Sequence, residues 1–265
     1  MSRGPTLFVK GNLDVSDTLY ALRRGDDVLW NGINEIVRSR FPGELVRVRQ
    51  ELWTRSDALL ESTGDIPPAL QARSLPLDVY SPALQFSRAL FETDADAFVL
   101  SVQPDIMTAM VRHRRDGYLF YPTNRELWAQ EDRRWVTDEF TPAAFLDVNE
   151  SMHNFAEIVR RIRARSDAPI LIYNMSAVVP GESVRSYADL PETLSTRIRR
   201  FNLGLIELSQ ATGVTIVDVD RIVACDGADR LKFDTLHLTA EGCRAVAEDV
   251  VEALDELGLF AATAV

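Results

Sequence analysis

The chain has 265 residues, 46% of them hydrophobic, enough to bury a sizeable core. Lys and Arg total 29 against 40 Asp and Glu, and the formal charge of −11 disfavours a nucleic acid or an anionic membrane surface as partner. No apolar run reaches the roughly 18 residues of a membrane span, and Cys225 and Cys243 form neither a metal or redox motif nor a disulfide framework.

TLFVK (6–10) is a short apolar run of the buried-strand type, and it stops at Gly11-Asn12. Because the strand begins so early, no leader peptide fits before it, and a cytoplasmic location is expected. A polar bend and a helix start follow in LDVSDTL (13–19). Over 27–40, Trp30, Ile33, Ile36 and Val37 line one face and predict a helix that ends at FPGE (41–44). LVRVR (45–49) alternates Arg with apolar residues, as an edge strand does. Residues 50–80, with STGDIPP, show little periodicity. AFVLSV (97–102) reads as a third strand, with QPD (103–105) beyond it.

Residues 112–141 are rich in charge and aromatics, and His113 reads there as part of a solvated helical face. A helix is predicted over 142–165, with Phe145, Val148, Met152, Phe155, Val159 and Ile162 on one face. PILIYNM (169–175) is a fourth strand. A helix over 190–210 follows, then ATGV (211–214) and a fifth strand, VTIVDV (214–219). The last helix spans 239–258. This alternation implies a parallel sheet with helices on both faces, in one domain over 1–265. The stretches 50–80 and 112–141 read as insertions over one end of the sheet, where such folds bind ligands.

The chemistry concentrates in KFDTLHLTAEGCRAVAEDVV (232–251). Asp234 and His237 stand three residues apart just before a helix, with Thr239 as N-cap and Glu241 in the first turn. Asp234 can then fix the imidazole tautomer while the other ring nitrogen takes a proton. Near the first strand, Ser16 is a hydroxyl close to a helix start, and it or Asp14 can equally serve as a cap. His113 and His153 show no metal-ligand spacing, and nothing indicates a nucleotide, so neither metal nor cofactor is expected. Tyr118, Phe120, Tyr121, Trp128 and Trp135 can wall a pocket or simply pack, and the Arg residues of 112–134 can meet an anionic group.

In the order of these features, and above all in FDTLHLTAEGCRAVAEDVV, the chain resembles the SGNH hydrolase superfamily, the GDSL esterases and lipases, from about residue 6 to 258. The resemblance implies a flavodoxin-like α/β fold, a three-layer α/β/α sandwich whose five-stranded parallel sheet has the order 2-1-3-4-5. It implies Asp234 and His237 as acid and base of a triad. The family's first block, Gly-Asp-Ser, reads here Gly11-Asn12-Leu13, and Leu13 cannot attack a carbonyl. The nearest hydroxyl is Ser16. The family's Gly-x-Asn-Asp block corresponds to SVQPD (101–105), where Gln103 can donate a side-chain N–H, as can Asn12. Asp105 would stand in the asparagine's place, and a carboxylate donates only when protonated. Gly64 is available for the family's second block.

Three readings follow. One is a hydrolase or acyl transferase acting on an ester or acyl group of a small metabolite, with His237 as base and either Ser16 or water attacking. Another is proton-transfer chemistry on the same scaffold, using His237 with Asp14 or Asp105. The last is a binding protein without catalysis.

Overall fold

The computed structural model describes residues 4–24, 27–52, 55–182 and 186–260. Thr6–Gly11 (β1), Arg47–Leu52 (β2), Ala97–Ser101 (β3), Ile170–Tyr173 (β4) and Thr215–Val217 (β5) form a parallel sheet. Its order is β2-β1-β3-β4-β5. β2 lies at the edge with Arg47 and Arg49 exposed, as its alternating sequence requires.

The principal helices are Leu13–Leu19 (α1), Asn34–Arg40 (α2), Ser56–Glu61 (α3), Gln103–Met107 (α4), Gln130–Glu139 (α5), Val148–Arg163 (α6), Leu194–Thr212 (α7), Val219–Asp226 (α8) and Ala240–Glu256 (α9). Strand side chains alternate between two cores. Leu7, Val9, Val99 and Leu171 meet α1, α2, α8 and α9 on one face. Phe8, Phe98, Leu100 and Ile172 meet α3, α6 and α7 on the other. Because both faces are covered, the central strands read as unbroken apolar runs.

Three expectations fail locally. The helix predicted over 142–165 begins only at Val148, capped by Asp147, so Phe145 lies before it. Residues 27–30 are not helical: Asp27–Trp30 pairs antiparallel with Leu22–Arg24, and the helix begins only at Asn34. Gly32 separates the two, with φ +82°, a conformation that ends regular structure. Trp30 and the α2 residues still face one core, which is why their spacing imitates a single helix. His113 lies not on a solvated helix but in a small antiparallel sheet of Val111–His113, Leu119–Phe120 and Phe140–Pro142. It is buried, stacked on Tyr118 at 4.7 Å, and its Nδ1 accepts from the Asp116 amide at 3.0 Å. The aromatic residues of this region pack mostly on one another around Phe120, Trp128 and Phe140. Among the described residues no helix is long and apolar enough to cross a membrane.

Candidate active site

The carboxyl ends of β1 and β3 meet where the sheet order reverses, and the loop entering α9 lies beside them. Such a crevice is where open α/β sheets bind ligands. Residues 232–238 form a tight loop closed by pairing of Lys232 with Leu238, and the Phe233 amide donates to the His237 carbonyl at 2.9 Å. Asp234 Oδ1 accepts from the backbone amides of Leu236 and His237 at 2.7 and 2.8 Å. The ring Nδ1 of His237 lies 2.9 Å from Asp234 Oδ2 and 3.1 Å from Oδ1. Burial would raise the Asp234 carboxyl, but the His237 and Leu236 amides and the His237 ring hold it below its ordinary value. Thr239 caps α9, accepting from the Gly242 amide at 3.1 Å.

The paired carboxylate makes Nδ1 the donor and leaves Nε2 as the basic nitrogen. Among the described residues Nε2 has no hydrogen-bond partner, and the side chains of His237 and Asp234 are 37% and 47% exposed. The dyad is therefore open to solvent or to a ligand.

At the end of β1, Gly11 is required by close approach. A Cβ there would sit 2.7 Å from Val15 Cγ2. Asn12 occupies the N-cap position of α1 without a side-chain capping bond. Its Oδ1 instead accepts from the Tyr80 hydroxyl. Burial raises the Tyr80 pKa, so the phenol remains a donor and fixes the amide with Nδ2 as its unbonded end. Tyr80 in turn packs edge-on against Tyr121, 5.1 Å between centroids, which links both low-periodicity regions to this turn. Asp14 Oδ2 accepts from the Ser101 hydroxyl at the end of β3, and Ser101 Oγ accepts from the Gln103 amide at 3.0 Å. Burial pushes the Asp14 carboxyl up to about 6, against the pull of the Ser101 hydroxyl.

The structure thus brings Gly11, Asn12, Asp14 and Gln103 together near the Asp234–His237 loop. Among the described residues Ser16 makes no hydrogen bond to His237. Ser16 lies in the second turn of α1, too far along to cap it, and its hydroxyl has no hydrogen bond among the described residues. Asp105 faces elsewhere. Its carboxylate accepts from the Ser56 amide and hydroxyl at 2.7 and 2.5 Å and from Ser151 Oγ at 2.6 Å, tying α4 to α3 and α6. With those oxygens occupied and the side chain fully buried, Asp105 offers nothing to a ligand. His153 is exposed on α6.

Three residues of the site have weak sequence signals. Ser101 is a lone hydroxyl closing an apolar strand, which is its only mark. Tyr80 stands in a stretch without periodicity. Asp17 lies one turn on from Leu13, on the same face of α1. Burial raises its carboxyl, the His237 ring opposes the rise and the Asp234 charge adds to it, so Asp17 sits within electrostatic reach of the dyad.

The model of the GDSL-like Lipase/Acylhydrolase family matches residues 92–245, more than half of the chain. The match takes in Ser101, Gln103, Asp234 and His237 and begins after the β1–α1 turn. Among solved structures the chain is similar to LAE5, an alpha/beta hydrolase enzyme from the metagenome of Lake Arreo, Spain, with 16% identity over 97% of this chain and 98% of that one, TM-score 0.51. It is similar also to a protein assigned as an arylesterase from Agrobacterium tumefaciens str. C58, with 12% identity over 95% and 99%, TM-score 0.51. The acetylxylan esterase Axe2 from Geobacillus stearothermophilus aligns with 13% identity over 97% of each chain, TM-score 0.49. At these identities the likeness to the first two is one of fold. No curated protein matches the chain in sequence.

Proposed function

The chain belongs to the GDSL-like lipase/acylhydrolase family, and from that premise we propose that it hydrolyses an ester or acyl group of a small molecule, with His237 as general base and water as the attacking group. The observation that carries this reading is the 2.9 Å bond from His237 Nδ1 to Asp234 Oδ2 with Nε2 left unpaired. An oriented imidazole with a free basic nitrogen at the ligand-binding edge is equipped for proton transfer. Water rather than serine is favoured because Leu13 follows Gly11-Asn12 and the Ser16 hydroxyl is not bonded to His237.

In this reading His237 Nε2 takes a proton from water as the water oxygen bonds to the carbonyl carbon. Asp234 stabilises the resulting imidazolium. Charge developing on the carbonyl oxygen meets Asn12 Nδ2, whose orientation Tyr80 fixes. When the tetrahedral adduct collapses, the bond to the leaving alcohol breaks and the Nε2 proton passes to the departing oxygen. An acid and an alcohol result, and the imidazole returns neutral.

His237→Ala should lower hydrolysis of activated acetyl esters by about 10²-fold or more, the usual worth of a positioned base. Ser16→Ala should stay within about twofold, and a fluorophosphonate should label no serine. Label on Ser16 replaces water attack with an acyl-enzyme, and with it opens acyl transfer. Undiminished turnover in His237→Ala removes the dyad from the reaction altogether.

A further inference from the structure

Gln85 ends a short helical turn, Pro82–Gln85, and its side chain is buried. Its Nε2 donates to the Tyr80 carbonyl at 2.7 Å and to the Tyr121 carbonyl at 3.2 Å. Its Oε1 accepts from the Tyr121 amide at 2.8 Å. Two carbonyls and one N–H call for two donors and one acceptor, which a primary amide supplies and a carboxylate does not. The same pattern fixes which end of the Gln85 amide is which. One side chain thus joins the backbones of Tyr80 and Tyr121, the two residues whose rings meet edge-on.

The segment that carries Tyr80 and Gln85 is also fastened to β1 on both sides of Gly11. The buried Lys10 donates from Nζ to the Leu84 carbonyl at 3.0 Å, beside its ion pair with Glu51 at 3.1 Å. An ammonium taken out of water must keep such bonds, so this anchor is costly to break. Asn12 Oδ1 accepts from the Tyr80 hydroxyl. Residues 10–12 and 80–85 therefore close a ring of hydrogen bonds around the β1–α1 turn, and Gln85 ties that ring to residue 121.

We propose that Gln85 is a positioning residue for the hydrolysis: by holding Tyr80 and Tyr121 in register it aims the Tyr80 hydroxyl at Asn12 and keeps Asn12 Nδ2 toward the reacting carbonyl. The inference rests on the proposed role of Asn12. Tyr80 and Tyr121 both lie outside helix and strand, so regular structure does not fix their places. A donor for developing charge has to be held to within about 0.5 Å, and a loop reaches that only when neighbouring bonds lock it. Gln85 supplies the lock and acts on the substrate only through Tyr80 and Asn12.

A double-mutant cycle tests this. Gln85→Met keeps length and bulk and removes all three bonds. It should lower kcat on an activated acetyl ester about tenfold with KM within about twofold, as expected when a transition-state contact is loosened. Tyr80→Phe, which removes only the hydroxyl, should do the same. The double variant should be no slower than Tyr80→Phe alone, because Gln85 acts through that hydroxyl. Losses that multiply to about a hundredfold, or a raised KM at unchanged kcat, would reduce Gln85 to a packing role and overturn the inference. If Gln85→Met does not fold, Gln85→Glu takes its place in the cycle, since it keeps the acceptor and loses both donors. A second readout needs no turnover. The Asn12 side-chain NH₂ should lose NMR order equally in Gln85→Met and Tyr80→Phe, and an amide as ordered in either variant as in the unmodified protein also overturns the inference. An unmodified protein that cleaves no ester refutes the proposed hydrolysis, while the order of the Asn12 amide still decides whether Gln85 holds it.

Discussion

Asp105 and Asp234 are both carboxylates near the carboxyl edge of the sheet, each close to a helix start, and the sequence nominates both for chemistry. Their surroundings separate them. Asp105 is fully buried and accepts three hydrogen bonds from Ser56 and Ser151, all donors within the fold. Asp234 is half-exposed, and besides two backbone amides it holds a histidine whose second nitrogen is free. The first carboxylate is saturated and serves the architecture. The second hands its charge to a group that still has capacity facing outward. Unfilled hydrogen-bonding capacity toward solvent, rather than the residue type or its position at a strand end, distinguishes the two.

The contrast breaks most visibly through Asp234→Asn. The amide cannot stabilise an imidazolium, so ester turnover should fall by about 10²-fold or more while the thermal midpoint moves little. A loss of stability without loss of rate would put Asp234 in the same class as Asp105.

Asp105→Ala should do the reverse. It strips partners from two buried serine hydroxyls and one amide, for a loss on the order of 3 kcal/mol in urea unfolding. The dyad, which shares no hydrogen bond with Asp105, should keep its rate in the folded fraction.

A pH series sharpens the same difference. Burial pushes the Asp105 carboxyl up to about 6 from 3.8, against hydrogen bonds from Ser151 and Ser56 that pull it down. The folded chain therefore binds this proton more tightly than the unfolded chain. The stabilisation is fully present below about pH 4 and is lost as the pH rises through 6, on the order of 2–3 kcal/mol. Asp234 is held below its ordinary value, so its contribution has the opposite sign, present at neutral pH and lost in acid. Unfolding midpoints at pH 4.5 and 7.5 should show a shallower fall in Asp105→Ala than in the unmodified protein. An equal fall would mean that Asp105 does not titrate in this window.

The smallest expected effect belongs to Gly11→Ala. The added methyl meets Val15 Cγ2 at 2.7 Å and should cost about 1–2 kcal/mol by overpacking. Because Asn12 follows directly, turnover should fall with it, whereas an exposed substitution on α6 such as His153→Ala should change neither.

Much of the fold is legible in the sequence. Apolar runs at 6–10, 97–102 and 169–175 become the central strands, 214–219 becomes one edge strand, and the Arg alternation of 45–49 marks the other edge. The spacing of Trp30, Ile33, Ile36 and Val37 misleads because a strand end and a helix present residues to one core. The helical reading of His113 within 112–141 fails for a related reason. Short strands in a small antiparallel sheet carry too few residues for a period to emerge, and aromatic packing on neighbours leaves no alternation.

The site divides along the same line. The sequence by itself pointed to the Asp234–His237 pair, because a short loop can place both side chains on the same side of the sheet end and because the resemblance implies them as acid and base. It also determined that Leu13 stands where the resemblance expects a serine. Tertiary structure alone decided the rest. It turned Asp105 inward onto Ser56 and Ser151, bonded Tyr80 to Asn12, set Ser101 against Asp14, and left Ser16 without a hydrogen bond to His237. Each of those outcomes joins residues dozens of positions apart or separates residues brought to one edge. Packing of helices on the sheet fixes such relations, and no local pattern encodes them.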